Sequence, residues 1–248
     1  MAMRRAMAMP TAHMPATTTA TCMAMAEPLA LLRLLQLASP ALPVGAFNFS
    51  QGLEFANDGG WVTNEEQAGE WIRGVARHSL ATLDLPLLLR LHAAWSAGDE
   101  MRVRQLSREL LASRETAELR AEEIHLGQSL AKILAAHGLE AARSWQRHNG
   151  ATYAAMFALA GANAGACAGD CALAYAWAWA ENQVTAAVKL LPLGQTAGQR
   201  VLERIRLFLP ELLAHAASLA DEDIGSTTPL AMMASCWHET QYTRLFRS

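Results

Sequence analysis

"TYAAMFALAGANAGACAGDCALAYAWAWAENQVTAAVKLL", residues 152–191, is apolar around most of its helical circumference. A helix with one apolar stripe lies on a core, whereas one that is apolar all round lies inside it. No alternation of β-branched residues gives a strand signal here. Asn163, Asp170, Glu181, Asn182 and Gln183 make the stretch too polar to span a membrane. It predicts central, buried helices, stopped by Pro192 and Gly194.

Outward from this segment the periodicity stays helical. "PLALLRLLQLAS", residues 28–39, opens with Pro28 at a first helical position and ends before Pro40. "ASPALPVGAFNFSQGLE", residues 38–54, is punctuated by Pro40, Pro43 and Gly45 and reads as irregular. Thr63-Asn64-Glu65-Glu66 caps a helix through Trp71, Ile72 and Val75, with acids at its positive end. Asp84-Leu85-Pro86 opens another, ending near Gly98. From Asp99 to Gly138, leucines at helical spacing between arginines and glutamates predict an amphipathic helix broken once. Gln195 to Ala217 is helical with Pro210 inside it, "DEDIGSTTP" (221–229) is a loop, and Pro229 starts a last short helix. The expectation is all-α: one domain of about ten helices packed around a hydrophobic central helix, covering residues 28–235. Residues 1–27 are expected to be a disordered extension, and 236–248 a tail.

Composition narrows the function. Hydrophobic residues make up 52% and charged residues 17%, enough to bury a large core. The formal charge of −3 gives no global attraction for nucleic acid or for an anionic membrane. Cys22, Cys167, Cys171 and Cys236 are too few for a disulfide scaffold, which fits a reduced, cytoplasmic setting. Arg4 and Arg5 mimic the start of a targeting peptide, but Pro10, His13, Pro15 and a threonine cluster interrupt any apolar run.

Candidate chemistry is sparse. No glycine-rich turn precedes Lys132 or Lys189, the two lysines, so no phosphate-binding loop exists. Cys167 and Cys171, four apart on one helical face beside Asp170, read either as a metal half-site or as small packing residues. Cys236 and His238 supply only two ligands, and no resident metal is expected. Glu122 and Glu123, near Arg114 and Arg120, read as solvated ion pairs. The competing reading puts Glu122 and Glu181 inside a bundle as a small-ligand or enzymatic site. Lys189 either complements a helix C-terminus or is a basic finger offered to a partner. The closing "HETQYTRLFRS", residues 238–248, combines Tyr242, Leu245 and Phe246 with Arg244 and Arg247, the composition of an interface.

Four ordered blocks carry a resemblance: "LLQLASPALPVGAFNFSQGLE" (34–54), "SRETAELRAEEIHLGQSLAKIL" (113–134), "AAVKLLPLGQTAGQRVL" (186–202) and "DEDIGSTTPLAMMASCWHETQYTRLFRS" (221–248). Together they resemble the UreF family of urease accessory proteins. That resemblance implies a non-enzymatic, homodimeric maturation factor with no cofactor of its own. It implies binding to UreD (also called UreH) and to the GTPase UreG, and docking on urease apoprotein. The complex would assist and gate carbamylation and nickel insertion, with nickel and GTP handled by the partners. Carried over by block, Lys189 and Gln195 are the expected UreG-side residues. Tyr242, Arg244, Leu245, Phe246 and Arg247 are the expected UreD-side residues, in a tail expected to order on its partner. Ser39, Pro43, Gly45, Ser50 and Glu54 form the N-terminal motif. Asn48 and Cys236 depart from the family pattern.

Overall fold

The computed structural model of the protein describes residues 28–248, so the expectation for residues 1–27 lies outside it. Ten α-helices and no strand occur among the described residues. They are α1 (Pro28–Ala38), α2 (Leu53–Asp58), α3 (Glu65–Val75), α4 (Leu85–Ser96) and α5 (Glu100–Ala112). After them come α6 (Ala117–Ala136), α7 (Tyr153–Asn163), α8 (Ala168–Leu190), α9 (Gln195–Ser218) and α10 (Pro229–His238).

Local chemistry sets most of the starts. The Asn64 side chain accepts from the Gln67 amide at 3.0 Å. Asp99 accepts from Arg102 at 2.9 Å, Thr116 from Leu119 at 3.2 Å, and Thr152 from Ala155 at 3.2 Å. Each satisfies one of the amides a helix leaves open at its N-terminus. The predicted break in the 99–138 stretch falls between α5 and α6, where Thr116 caps the second half. Asp84 behaves differently from its expected role. A π-helical stretch, Ala76–Asp84, joins α3 to α4 without interruption, and Asp84 has helical backbone angles and caps nothing. Its carboxylate is taken instead by Arg114.

The centre is the α7–α8 hairpin, as the opening segment required. Every residue of α7 from Ala154 to Gly161 is buried. It packs against α4, α6 and α8, while α8 also meets α1, α4 and α9. Leu87, Leu88 and Leu91 of α4 and Phe157 of α7 are fully buried there. Each such side chain stabilises the fold by about 1.5–3 kcal/mol. The residue 221–229 loop is pinned by the segment running from the π-helical stretch to α5. Asp221 pairs with Arg90 at 2.6 Å and Arg102 at 3.3 Å, and the Gly225 and Thr227 amides donate to Thr82 and His78 carbonyls.

Candidate functional site

The N-terminal motif and the C-terminal tail, far apart in sequence, meet. The turn that makes this possible has three left-handed residues, Gly45 (φ 86°), Gln51 (φ 54°) and Gly52 (φ 83°). Gly52 is required twice over. Besides its positive φ, a Cβ there would lie 2.9 Å from the Ser235 amide nitrogen of α10. The close approach of α2 and α10 sets Glu54 beneath the tail.

Glu54, 5% exposed, anchors the tail. Its Oε1 accepts from the Leu245 amide at 2.6 Å and its Oε2 from the Phe246 amide at 2.8 Å. The same Oε2 lies 3.0 Å from Nε2 of His238, whose Nδ1 lies 2.7 Å from Glu118 Oε2. Both ring nitrogens face carboxylate oxygens, so both contacts are hydrogen bonds when each nitrogen carries a hydrogen. Arg244 reaches the other oxygen of Glu118 at 2.8 Å. Glu54, His238, Glu118 and Arg244 thus form a chain of alternating carboxylates and nitrogen groups from a buried to an exposed position. Buried charges in such a chain are tolerable because each has a partner.

Beyond Phe246 the main chain continues the seat. The Arg247 amide donates to the Asn48 carbonyl at 2.7 Å, and the Ser50 and Gln51 amides donate to the Ser248 main-chain oxygen at 2.6 and 3.1 Å. Ser50 Oγ donates to that same oxygen at 2.5 Å and accepts from the Glu54 amide. Asn48, the departure from the family pattern, therefore serves the tail through its backbone, and its side chain closes the Gly45 turn. Ser248 Oγ donates to Glu122 Oε2 at 3.0 Å, and Gln51 Nε2 donates to Glu122 Oε1 at 2.9 Å. Gln51 is itself held by Trp179 and Gln183 of α8.

This corrects the expectation for the paired acids. Glu122 and Glu123 are both 5% exposed rather than solvated. Glu123 accepts from the Ala154 amide at the α7 N-terminus and pairs with Arg114 at 2.9 Å. Arg114 also pairs with Asp84, forming a buried triad. Burial pushes the Asp84 carboxyl up against the pull of Arg114, whereas Asp84 and Glu123 overcome burial and hold Arg114 well above the ordinary arginine range. Burial raises the Glu122 carboxyl to about 7, against the hydrogen bonds from Gln51 and Ser248.

The predicted tail residues divide by exposure. Phe246 is buried, while Tyr242 and Leu245 face solvent, as do Arg244 and Arg247. The tail expected to order on a partner thus has a seat on its own chain. Lys189, exposed near the end of α8, has Nζ 5.5 Å from the Phe47 ring and 5.6 Å from the Phe246 ring. That cation–π contact joins a predicted UreG-side residue to the tail. Gln195 opens α9, exposed and outside this hydrogen-bonded cluster. Of the N-terminal motif, Ser50 and Glu54 bind the tail, Gly45 turns the chain, Ser39 caps the Ala41 amide, and Pro43 is exposed. Glu118, Gln51 and Glu122 complete the seat. Their positions within the matched blocks were the only sign of it in the sequence.

Cys236 is exposed, whereas His238 is fully buried between two glutamates. Cys167 Sγ accepts from the Asp170 amide at the start of α8, and Cys171 is buried against the Phe157 carbonyl. Among the described residues no group of three or more His, Cys, Asp or Glu is arranged to hold a metal ion. No helix among them is long and apolar enough to cross a membrane.

Comparison with known proteins places this geometry in a family. A family model described as UreF matches residues 62–206. The urease accessory protein UreF of Alkalilimnicola ehrlichii is 46% identical over 220 residues, 89% of this chain and 96% of that protein. That of Hahella chejuensis is 45% identical over 221 residues, covering 89% and 99%. That of an Azoarcus species is 48% identical over 225 residues, covering 89% and 96%. With its ordered blocks, its all-α fold and relatives matched along almost their whole length, the chain belongs to the UreF family of urease accessory proteins.

Proposed function

We propose that this chain acts without turnover as an assembly factor for urease, presenting two neighbouring surfaces to two partners. The tail seated on Glu54 offers Tyr242, Leu245 and Arg247 outward, and this surface meets UreD (UreH). The Lys189 side of α8, continuing toward Gln195, meets UreG. The complex then docks on urease apoprotein, where it assists and gates carbamylation and nickel insertion. Nickel is cargo in this reading, and GTP belongs to UreG. The chain works in the cytoplasm as a homodimer. The outward leucines of α1, Leu29, Leu32 and Leu35, support self-association because exposed apolar rows of this kind mark interfaces.

One observation carries the reading: Lys189 and Phe246, assigned from sequence to different partners, touch through a single cation–π contact. The two surfaces therefore adjoin. Co-expression with UreD and UreG followed by affinity purification tests it. Lys189→Ala should leave the circular dichroism spectrum and UreD recovery unchanged while UreG recovery falls. UreG recovery equal to that of the unaltered chain would remove the assignment.

A further inference from the structure

Behind the tail seat lies a cavity between α6, α7, α8 and the 39–51 turn, with a volume of about 1250 Å³ when its open mouth is included. One wall is aliphatic, with Leu37, Leu42, Val44 and Leu80. The charged groups lining it are Asp84, Glu115, Glu122, Glu123 and Glu181, against one guanidinium, Arg114. Such a lining of one prevailing sign in a low-dielectric setting concentrates cations. Asp84 and Glu123 already share Arg114, whereas Glu122 is bonded only to the neutral Gln51 and Ser248 side chains. Each Glu122 oxygen accepts one bond and has a lone pair to spare.

A second, independent feature points into the same space. Tyr175 lines the cavity and is 5% exposed; burial first, and then the neighbouring Glu123 and Asp84 carboxylates, push its hydroxyl well above the ordinary phenol range. Among the described residues no hydrogen-bond partner meets that hydroxyl, and it is not among the polar atoms sealed from solvent, so it is open to the cavity. Tyr153 and Trp179 add aromatic surface to the lining. Aliphatic wall, aromatic faces and an unpaired carboxyl form the combination that recognises an organic ammonium ion: ring faces and carboxylate meet the charge, the leucines meet the carbon chain. A bare divalent metal would leave those apolar walls unused, and no metal-ligand cluster occurs among the described residues.

We infer that this cavity binds a small organic ammonium ion, held by the Glu122 carboxylate and the Tyr175 hydroxyl. The site touches the tail through Ser248 Oγ on Glu122 and through Gln51, whose amide donates to the Ser248 main-chain oxygen, so a bound cation draws on the same carboxyl that helps seat the tail.

The test is calorimetric titration of the full chain with n-butylammonium chloride at pH 8 and constant ionic strength. n-Butanol and nickel chloride are run in parallel. Saturable binding of n-butylammonium is expected, with n-butanol at least about tenfold weaker because the charged hydrogen bond is lost. Glu122→Gln keeps the side-chain shape and should weaken n-butylammonium about tenfold or more, and Tyr175→Phe several-fold. Circular dichroism of each variant establishes that it is folded, and either variant alone suffices for the comparison. Absence of saturation up to about 10 mM, equal binding of n-butanol, or unchanged affinity in a folded variant would overturn the proposal. So would nickel competing with n-butylammonium at lower concentration.

Discussion

Replacing Glu122 by glutamine should make this protein more stable, and only above mildly acidic pH. In the folded chain burial holds the carboxyl near 7 instead of its ordinary 4.5. Between these values the unfolded chain has released the proton and the folded chain still holds it. Stability therefore falls as pH rises through this window, by about 1.4 kcal/mol per pH unit, and levels off above 7. The whole contribution is present below 4.5, and about 3 kcal/mol has been lost by pH 8. Glutamine has no proton to lose. It also keeps an acceptor for Gln51 Nε2 and offers its own amide to the Ser248 hydroxyl, so the geometry survives. Urea unfolding of both chains between pH 4.5 and 8.5 measures the difference between them. Glu122→Gln should gain on the unaltered chain by about 3 kcal/mol across the range, nearly all of it between pH 4.5 and 7.5. A difference independent of pH would refute the idea that Glu122 is a buried carboxyl without a counter-charge. Its placement at the centre of the tail seat would then fail as well.

Other consequences concern the seat itself. Glu54→Gln turns one acceptor of the Leu245 and Phe246 amides and of His238 into a donor, and should cost about 2–4 kcal/mol in urea unfolding. Limited trypsinolysis should then cut at Arg244 and Arg247 faster than in the unaltered chain; an unchanged rate would mean that Glu54 does not hold the tail. Gly52→Ala meets both a left-handed φ and the Ser235 backbone, and should lower stability by about 2 kcal/mol or more. A loss under about 0.5 kcal/mol would show that α2 and α10 can separate without cost.

The sequence made the scaffold legible and hid the seat, for physical reasons. Asn64 and Asp99 act on amides three residues away, so their roles could be read locally. The all-round apolar character of α7 likewise needed no partner to announce burial, whereas α8, read as buried in the same way, buries only part of its surface. Asp84 looked like a cap because a cap is a local motif, but Arg114, thirty residues on, claimed its carboxylate. Glu122 and Glu123 misled in the same way. Nearby arginines suggested surface pairs; Glu123 does pair with Arg114, but inside the fold, and the other oxygens are satisfied by Gln51, Ser248 and the Ala154 amide from across the fold. The short helix α2 escaped notice inside a stretch rich in glycine and proline. It forms because Ser50 Oγ accepts from the Glu54 amide and α10 packs against it. Tyr242 to Arg247 could be recognised as interfacial by composition, but nothing in that composition distinguishes a partner's surface from the chain's own.

Two of those tail residues separate the alternatives, because Tyr242 and Leu245 are exposed and their side chains support nothing in the folded chain. The double substitution Tyr242→Ala/Leu245→Ala should leave the melting temperature unchanged while UreD no longer co-purifies with the chain. Recovery of UreD at the level of the unaltered protein would contradict the central claim, that the seated tail is the surface this protein offers its partner.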